Sequence, residues 1–539
     1  MVLRAISPKK KIVFIIIFLF CLFIQVIPVI RSGLLYEYGI GFWGPNGHDG
    51  IWHLSLINHI SNPLKINLPI FAGETLKNYH PFFDILIAFF SKITLVSSSI
   101  WLFQLFPLIS ASLFLYFSFK LGQKLSGKFS GGLILMLLNS INNSFGWIVT
   151  LIRSGSFNGE SLFWAMQSPS NQLNPPYLLS ILLILILIYL LKYQNPKKIF
   201  IILILIFLPI IKVYSAIPAY IIFGLYALKN KKYLTTFFLS LFFAALLFFQ
   251  YNSSSSSLIK FQPFWFTSSM IESIDRFYWP QLVNFLHSRS LIKFALAEII
   301  AIIIFLMGNF AFRLLALKEI FKEKSLLISI IVCTLIPLFF IQKGTSWNTI
   351  QFLYYALFLA NIPLSLYLSK HPKLTYLVVA LNLLPLIGSL PNFTGKIPPT
   401  AISKSEIEAL SFLKNQPQGT VLTYPYDAYL RKSFPVTPIP IYSYETTSYV
   451  SAYSKQTTFL EDEMNLENSA YNWRPRRLDS ENFFSQENEF ADRGFLVNNQ
   501  IDYIYLPNAF LTQKPRLSLD LSIKNIFENS EVIIYRVNR

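Results

Sequence analysis

The sequence predicts an all-α polytopic membrane domain of about 11 transmembrane helices, followed by a small extracytoplasmic α/β domain. Three observations lead to this. Apolar runs of about 17 to 23 residues, such as "KIVFIIIFLFCLFIQVIPVI" and "LIKFALAEIIAIIIFLMGNF", recur through residues 1–395 and are long enough to cross a bilayer. Only 13% of the 539 residues are charged, where a soluble protein carries roughly a quarter. From about residue 396 the composition changes: residues 396–539 hold 15 Lys or Arg and 17 Asp or Glu, with no spanning run.

The net charge of +18 is a topology signal. Six basic clusters punctuate the apolar runs, beginning with Arg4, Lys9, Lys10 and Lys11 and ending with Lys370 and Lys373; the fifth is Arg313, Lys318, Lys322 and Lys324. Together they hold 19 basic residues against two acids, Glu319 and Glu323. Short Lys/Arg-rich loops mark the cytoplasmic side, so the basicity is spent on orientation and nucleic acid is excluded as a partner. The expected location is the plasma membrane, multi-pass, with the amino terminus cytoplasmic and the carboxyl-terminal domain outside.

With those loops inside, helices are expected at 12–31, 99–119, 130–151, 176–191, 199–211, 213–228, 234–250, 291–312, 325–341, 351–369 and 374–390. The first is longer than a signal h-region and lacks a small-residue cleavage site, so it is read as a retained span. Residues 32–97 form a long first outer loop. Its end, "PFFDILIAFFSKITLVS", carries Asp84 and Lys92 and reads as an interfacial or re-entrant helix. The serine run 253–257 reads as a short flexible loop. In the carboxyl-terminal domain, "SKSEIEALSFLKNQ" has helical spacing behind a Ser cap. "GTVLTYP", "IDYIYLP" and "SEVIIYRV" read as strands. Cys21 and Cys333 lie in apolar runs and offer neither a disulfide framework nor a thiolate metal site.

Ionisable chemistry in the membrane domain lies mostly on one side. Residues 1–395 contain ten acids, and seven fall on the outer side: Glu37, Asp49, Glu74, Asp84, Glu160, Glu272 and Asp275. His48, His53, His59 and His80 all belong to the first outer loop. Within it, "WGPNG" reads as a turn and "HDGIWHLSLINHI" as a helix with Asp49 and His53 four apart. That pattern leaves three readings open. Asp49 can be a helix cap; His48, Asp49 and His53 can ligate a divalent metal; or Asp49 can serve as a general base at the membrane surface. Lys212 interrupts the apolar run "FLPIIKVYSAIPAY", where a mid-membrane charge costs about 2.5–3.5 kcal/mol. "FWAMQSPSNQLNPPY" and "QKGTSWNTIQFLYY" are rich in amides and aromatics. In the carboxyl-terminal domain "YETTSYVSAYS" and "EDEMNLENSAYNWRPRR" have the polarity for acceptor binding, although a structural role fits them as well.

The membrane layout resembles the GT-C superfamily of membrane glycosyltransferases, which includes protein O-mannosyltransferases and lipid A aminoarabinose transferases. "GHDGIWH" stands where that family places an essential acid early in its first outer loop, and "LPIFAGETLKNYHPFFDILIAFF" is similar to the family's segment leading into the next helix. This chain has His48–Asp49 where relatives often carry two adjacent acids. The resemblance implies transfer of a hexosyl or pentosyl group from a polyprenyl-phosphate sugar to a glycan, lipid or protein acceptor at the outer face of the bilayer. It implies Asp49 as the catalytic base, with substrate contacts from His48, His53, Lys77, Tyr79, His80, Lys212 and Arg276. No cofactor is expected beyond a possible divalent metal. Two other classes stay open: a transporter or lipid flippase, and a non-catalytic envelope protein that binds glycans through its outer domain.

Overall fold

The computed structural model describes residues 7–193, 195–252, 258–485, 489–510 and 523–538. The serine run 253–257 lies outside the described residues. The chain forms two compact units. One comprises Met1–Pro28, Pro107–Gln250 and Ser255–Thr394; the other comprises Val29–Phe106, Tyr251–Ser254 and Gly395–Arg539.

All eleven apolar segments named above form helices. Among the described residues six helices are long and apolar enough to cross a membrane: Pro8–Ile30, Ser98–Ser126, Lys231–Tyr251, Leu291–Lys322, Ser346–Leu368 and Pro372–Ser389. Phe129–Ile141 and Gly146–Ser154, bent by 50° at their break, make a seventh if counted as one span. Pro175–Leu191, Lys198–Ile211, Val213–Lys229 and Lys324–Phe339 are apolar but shorter. Ser346–Leu368 is buried along most of its length, which explains why its apolar residues run all the way round rather than in one stripe.

The bent pair is held by amides. Asn142 Nδ2 donates to Asn361 Oδ1 at 2.7 Å, and the Asn143 amide donates to Asn382 Oδ1 at 2.8 Å. Arg313 corrects the charge count made from the sequence. It was grouped with the cytoplasmic loop residues, yet it is 1% exposed. Its guanidinium donates to Asn361 Oδ1, Gln167 Oε1 and the carbonyls of Leu357 and Asn309, at 3.0 to 3.3 Å. A buried cation is tolerable only when it is hydrogen-bonded, and here neutral oxygens meet its Nε and Nη1.

The other unit is built on two sheets. Five strands run in the order Ile523–Glu528, Val532–Val537, Ile501–Pro507, Thr420–Thr423, Thr457–Thr458. Lys404–Lys414 packs on this sheet, capped by Ser403, whose Oγ accepts from the Glu406 amide at 3.0 Å. The second sheet orders Leu35–Tyr36, Gly39–Phe42, Thr400–Ile402 and Ile439–Pro440, so the start of the first outer loop shares a sheet with the carboxyl-terminal residues. Further along, residues 69–72 lie against 458–461: Thr458 N donates to Pro69 O at 2.8 Å, Ala72 N to Thr458 O at 2.9 Å and Glu461 N to Ile70 O at 3.0 Å. The Asp49–His59 helix joins the same body through Ser55 Oγ on Ser451 Oγ and Asn58 Nδ2 on Ala452 O, each 2.8 Å. The amphipathic segment at the end of the loop is helical over Phe82–Thr94.

Gly39 makes the mixed sheet possible. Its φ is +119°, and a Cβ there would stand 2.0 Å from the Ile402 carbonyl oxygen. Gly39→Ala is therefore expected to lower the melting temperature of the purified protein, through roughly 1–3 kcal/mol of backbone strain plus the clash. Thermal unfolding in detergent checks this, and an unchanged midpoint would show that the pairing of 39–42 with 400–402 contributes little.

Candidate active site

The "GPNG" turn forms a 3₁₀ helix, Gly44–Gly47, and the chain then enters the Asp49–His59 helix with His48 at its N-cap. Asp49 is thus not the cap but the first helical residue, where a carboxylate is still favoured by the helix dipole. Its Oδ1 lies 2.8 Å from His48 Nδ1. The other ring nitrogen, Nε2, lies 3.1 Å from Oδ1 of Asp462. Asp462 is fixed in turn by Asn465, whose amide and side-chain nitrogen donate to its two oxygens at 3.2 and 2.8 Å. His48 and Asp462 are buried, whereas the Asp49 side chain is 52% exposed.

Burial works against a charge on His48, but the Asp462 and Asp49 carboxylates outweigh it and hold its pKa well above the ordinary imidazole value. Of the three residues offered as metal ligands, His48 has an acid at each ring nitrogen, and His53 lies against a different acid, Asp84. Among the described residues no group of three or more His, Cys, Asp or Glu is placed to hold a metal ion.

His53 sits in a second, fully enclosed network. Its Nδ1 is 2.7 Å from Asp84 Oδ1, and the Tyr79 hydroxyl lies 3.5 Å from the same nitrogen while accepting from Trp52 Nε1 at 3.0 Å. Burial raises the Asp84 carboxyl pKa, partly offset by His53. Burial and the charges of Asp84, Asp49 and Asp462 push the Tyr79 phenol well above its usual value, partly offset by its hydrogen bond with Trp52. The Tyr79 and His80 rings meet edge to face at 4.8 Å. Lys77 lies over the Tyr471 ring with Nζ 4.3 Å from its centre, and its amide donates to the Tyr471 hydroxyl at 2.9 Å.

Lys212 and Arg276 belong to the membrane-helix unit. Lys212 does mark the turn between Lys198–Ile211 and Val213–Lys229, with extended backbone, but it is buried rather than reaching outward. Arg276 stacks over Trp164 at 4.1 Å, donates to the Ser161 carbonyl at 3.1 Å and pairs with Asp275 at 3.4 Å. Two residues escaped the sequence reading. Asp84 looked only like a charge that keeps its helix out of the bilayer, and Asp462 had no local signal within "LEDEMN" to separate it from its acidic neighbours.

No protein-family model matches the sequence, and no curated protein matches it. Among solved structures, the oligosaccharyltransferase of Archaeoglobus fulgidus tethered with an acceptor peptide containing the NVT sequon is similar to 93% of this chain over 69% of its own, at 12% identity and a TM-score of 0.48. The archaeal oligosaccharyltransferase AglB from Archaeoglobus fulgidus, in complex with an inhibitory peptide and a dolichol-phosphate, matches 93% of this chain and 70% of its own, with 13% identity and a TM-score of 0.40. ArnT from Cupriavidus metallidurans bound to undecaprenyl phosphate matches 98% of each chain, with 11% identity and a TM-score of 0.38.

The raised pKa of His48 has a stability consequence with a definite sign. A group whose folded pKa is raised contributes stability that is fully present below its unfolded value, near 6.5, and is lost as pH rises through the folded value. The melting-temperature difference between wild type and His48→Asn is expected to be largest at about pH 6 and to shrink on the alkaline side. Paired melts across that range check it; a difference that grows with pH would mean that His48 is neutral when folded.

Proposed function

We propose that this multi-pass membrane protein is a glycosyltransferase that moves a sugar from a polyprenyl-phosphate donor to an acceptor at the outer face of the plasma membrane, with Asp49 as the general base. The observation that carries this reading is a half-exposed carboxylate braced from behind by a buried histidine–aspartate pair. Asp49 is the most exposed of the three, and its plane is set by the bond to His48. A base must stand within about 2.6–3.2 Å of the proton it takes, so a carboxylate held in one orientation serves better than a freely rotating one.

In this reaction the acceptor hydroxyl oxygen attacks the anomeric carbon while its proton passes to Asp49. The bond from that carbon to the donor phosphate oxygen breaks, its electron pair leaving with the polyprenyl phosphate, and the anomeric configuration inverts. His48 orients Asp49 without draining its basicity, because Asp462 shares the imidazolium charge. Cations are needed against the departing phosphate, by the same electrostatic reasoning that governs oxyanion stabilisation. Lys77 and His80, in the same unit as Asp49, are the proposed pair. The basic loops support an orientation with the amino terminus in the cytoplasm and residues 396–539 outside. Transport is the weaker reading: Arg313, buried in the membrane-helix unit, is held by neutral oxygens of Asn361, Gln167, Leu357 and Asn309.

Asp49→Asn is expected to reduce transfer from a labelled polyprenyl-phosphate sugar by about 10²–10⁴, with Asp49→Glu retaining part of the rate. Asp462→Asn should cost less and shift the pH profile, since it acts through His48. Turnover by Asp49→Asn equal to wild type would remove Asp49 from the chemistry. Movement of lipid-linked sugar across vesicles without its consumption would replace transfer by transport.

A further inference from the structure

We infer that an aromatic cleft in the carboxyl-terminal part of the second unit is the acceptor subsite, and that the acceptor it takes is a carbohydrate ring. This rests on the transferase reading above and names the acceptor class for that same site. The cleft is lined by Tyr424, Tyr426, Tyr442, Glu445, Asp462 and Phe510, among others. It adjoins the base through bonded atoms. Asp462 reaches from its floor to His48 and so to Asp49, and Thr447 Oγ1 donates to the Gly47 carbonyl, one residue before His48, at 3.3 Å.

The walls and floor differ in chemistry. Tyr424, Tyr426 and Tyr442 are half-buried, and Tyr424 stacks on Phe510 at 4.2 Å between ring centres, with Tyr442 tilted against the same ring at 5.5 Å. This makes a rigid aromatic wall with partial exposure. The floor carboxylates are already served: Glu461 accepts from the Val450 and Ser451 amides at 2.9 and 3.0 Å, and Glu463 pairs with Arg477 at 2.8 Å and accepts from Thr446. Glu445 is different. It is part-buried, lines the cleft, and has no hydrogen-bond or ion-pair partner among the described residues. Burial raises its carboxyl pKa; the charge of His48 opposes this, Asp49 and Asp462 add to it, and Arg431 opposes it further.

A flat polyhydroxylated ring satisfies all of this at once. Its C–H face lies on a tyrosine, and its hydroxyls donate to the carboxylate that lacks a donor. A lipid tail would leave Glu445 buried without a partner. An anionic group would face Asp462, Glu463 and Glu445 together. A cation has little to gain from the floor acids, which already have their donors.

The test is binding without turnover, on the full-length protein in detergent. Saturation-transfer NMR is read with maltotetraose, chitotetraose and mannotetraose as probes and an uncharged tetrapeptide as control. Ring-proton transfer is expected from at least one oligosaccharide, in wild type and in Asp49→Asn alike. Tyr442→Ala and Glu445→Gln, with melting temperatures matched to wild type, are each expected to weaken that binding by about tenfold. No transfer from any oligosaccharide, transfer from the peptide alone, or undiminished binding by both cleft variants overturns the inference. Because Asp49→Asn should bind but not turn over, failure of the subsite and failure of the transferase assignment are read separately.

Discussion

The second unit is organised around one buried group: His48, held between Asp49 and Asp462, whose carboxylates raise its pKa well above the ordinary imidazole value despite its burial. Taking a cation out of water is costly, and removing either partner would leave charge uncompensated in a low-dielectric site. The arrangement therefore exists only if residue 48 and residue 462 are brought together from opposite ends of the chain. The rest of the unit supplies that approach. Backbone bonds between 69–72 and 458–461, side-chain bonds from Ser55 and Asn58 to 451–452, and Asn78 Nδ2 on the Ser469 carbonyl at 2.8 Å run beside the pair and hold it in register. The carboxyl-terminal residues are thus part of the candidate active site and not an appendage to it.

Three of the buried basic side chains among the described residues are met in three ways. His48 takes two carboxylates. His53 takes one, Asp84, with Tyr79 and Trp52 closing the remaining polar positions. Arg313 takes none and relies on amides and carbonyls. Only the first leaves a charged group at the surface. His53 and Arg313 are sealed, so their bonds serve local order; in the His48 network Asp49 emerges half-exposed. That asymmetry, rather than the number of histidines in "GHDGIWH", is what singles out the site.

Much of the fold was legible in the sequence because membrane helices and strands leave local periodic signals. The break at Lys212, the Ser403 cap and the strands at 420–423, 501–507 and 532–537 follow from residues close in sequence. Asp49 and its neighbour His48 were legible for the same reason. What was hidden is non-local. Nothing within "PFFDILIAFF" announces that Asp84 answers His53, and nothing in residues 29–106 announces that they share sheets with residues beyond 395. Arg313 was misplaced because a Lys/Arg-rich loop and a buried guanidinium look alike until the amides of Gln167 and Asn361 are seen around it.

The polar composition of residues 420–470 has a physical explanation in this arrangement. A small α/β unit needs an apolar core, which its strands provide through residues such as Val421, Leu422, Ile504 and Ile534. It does not need Glu461, Asp462 and Glu463 in succession, all buried. Each of the three carboxylates costs desolvation, and each is met by a different donor set: backbone amides, His48, and Arg477. Stability alone would favour apolar residues at such positions. Three consecutive buried acids, one bonded to the residue that orients Asp49 and all on the floor of an aromatic cleft, are accounted for when the floor serves the substrate as well as the fold.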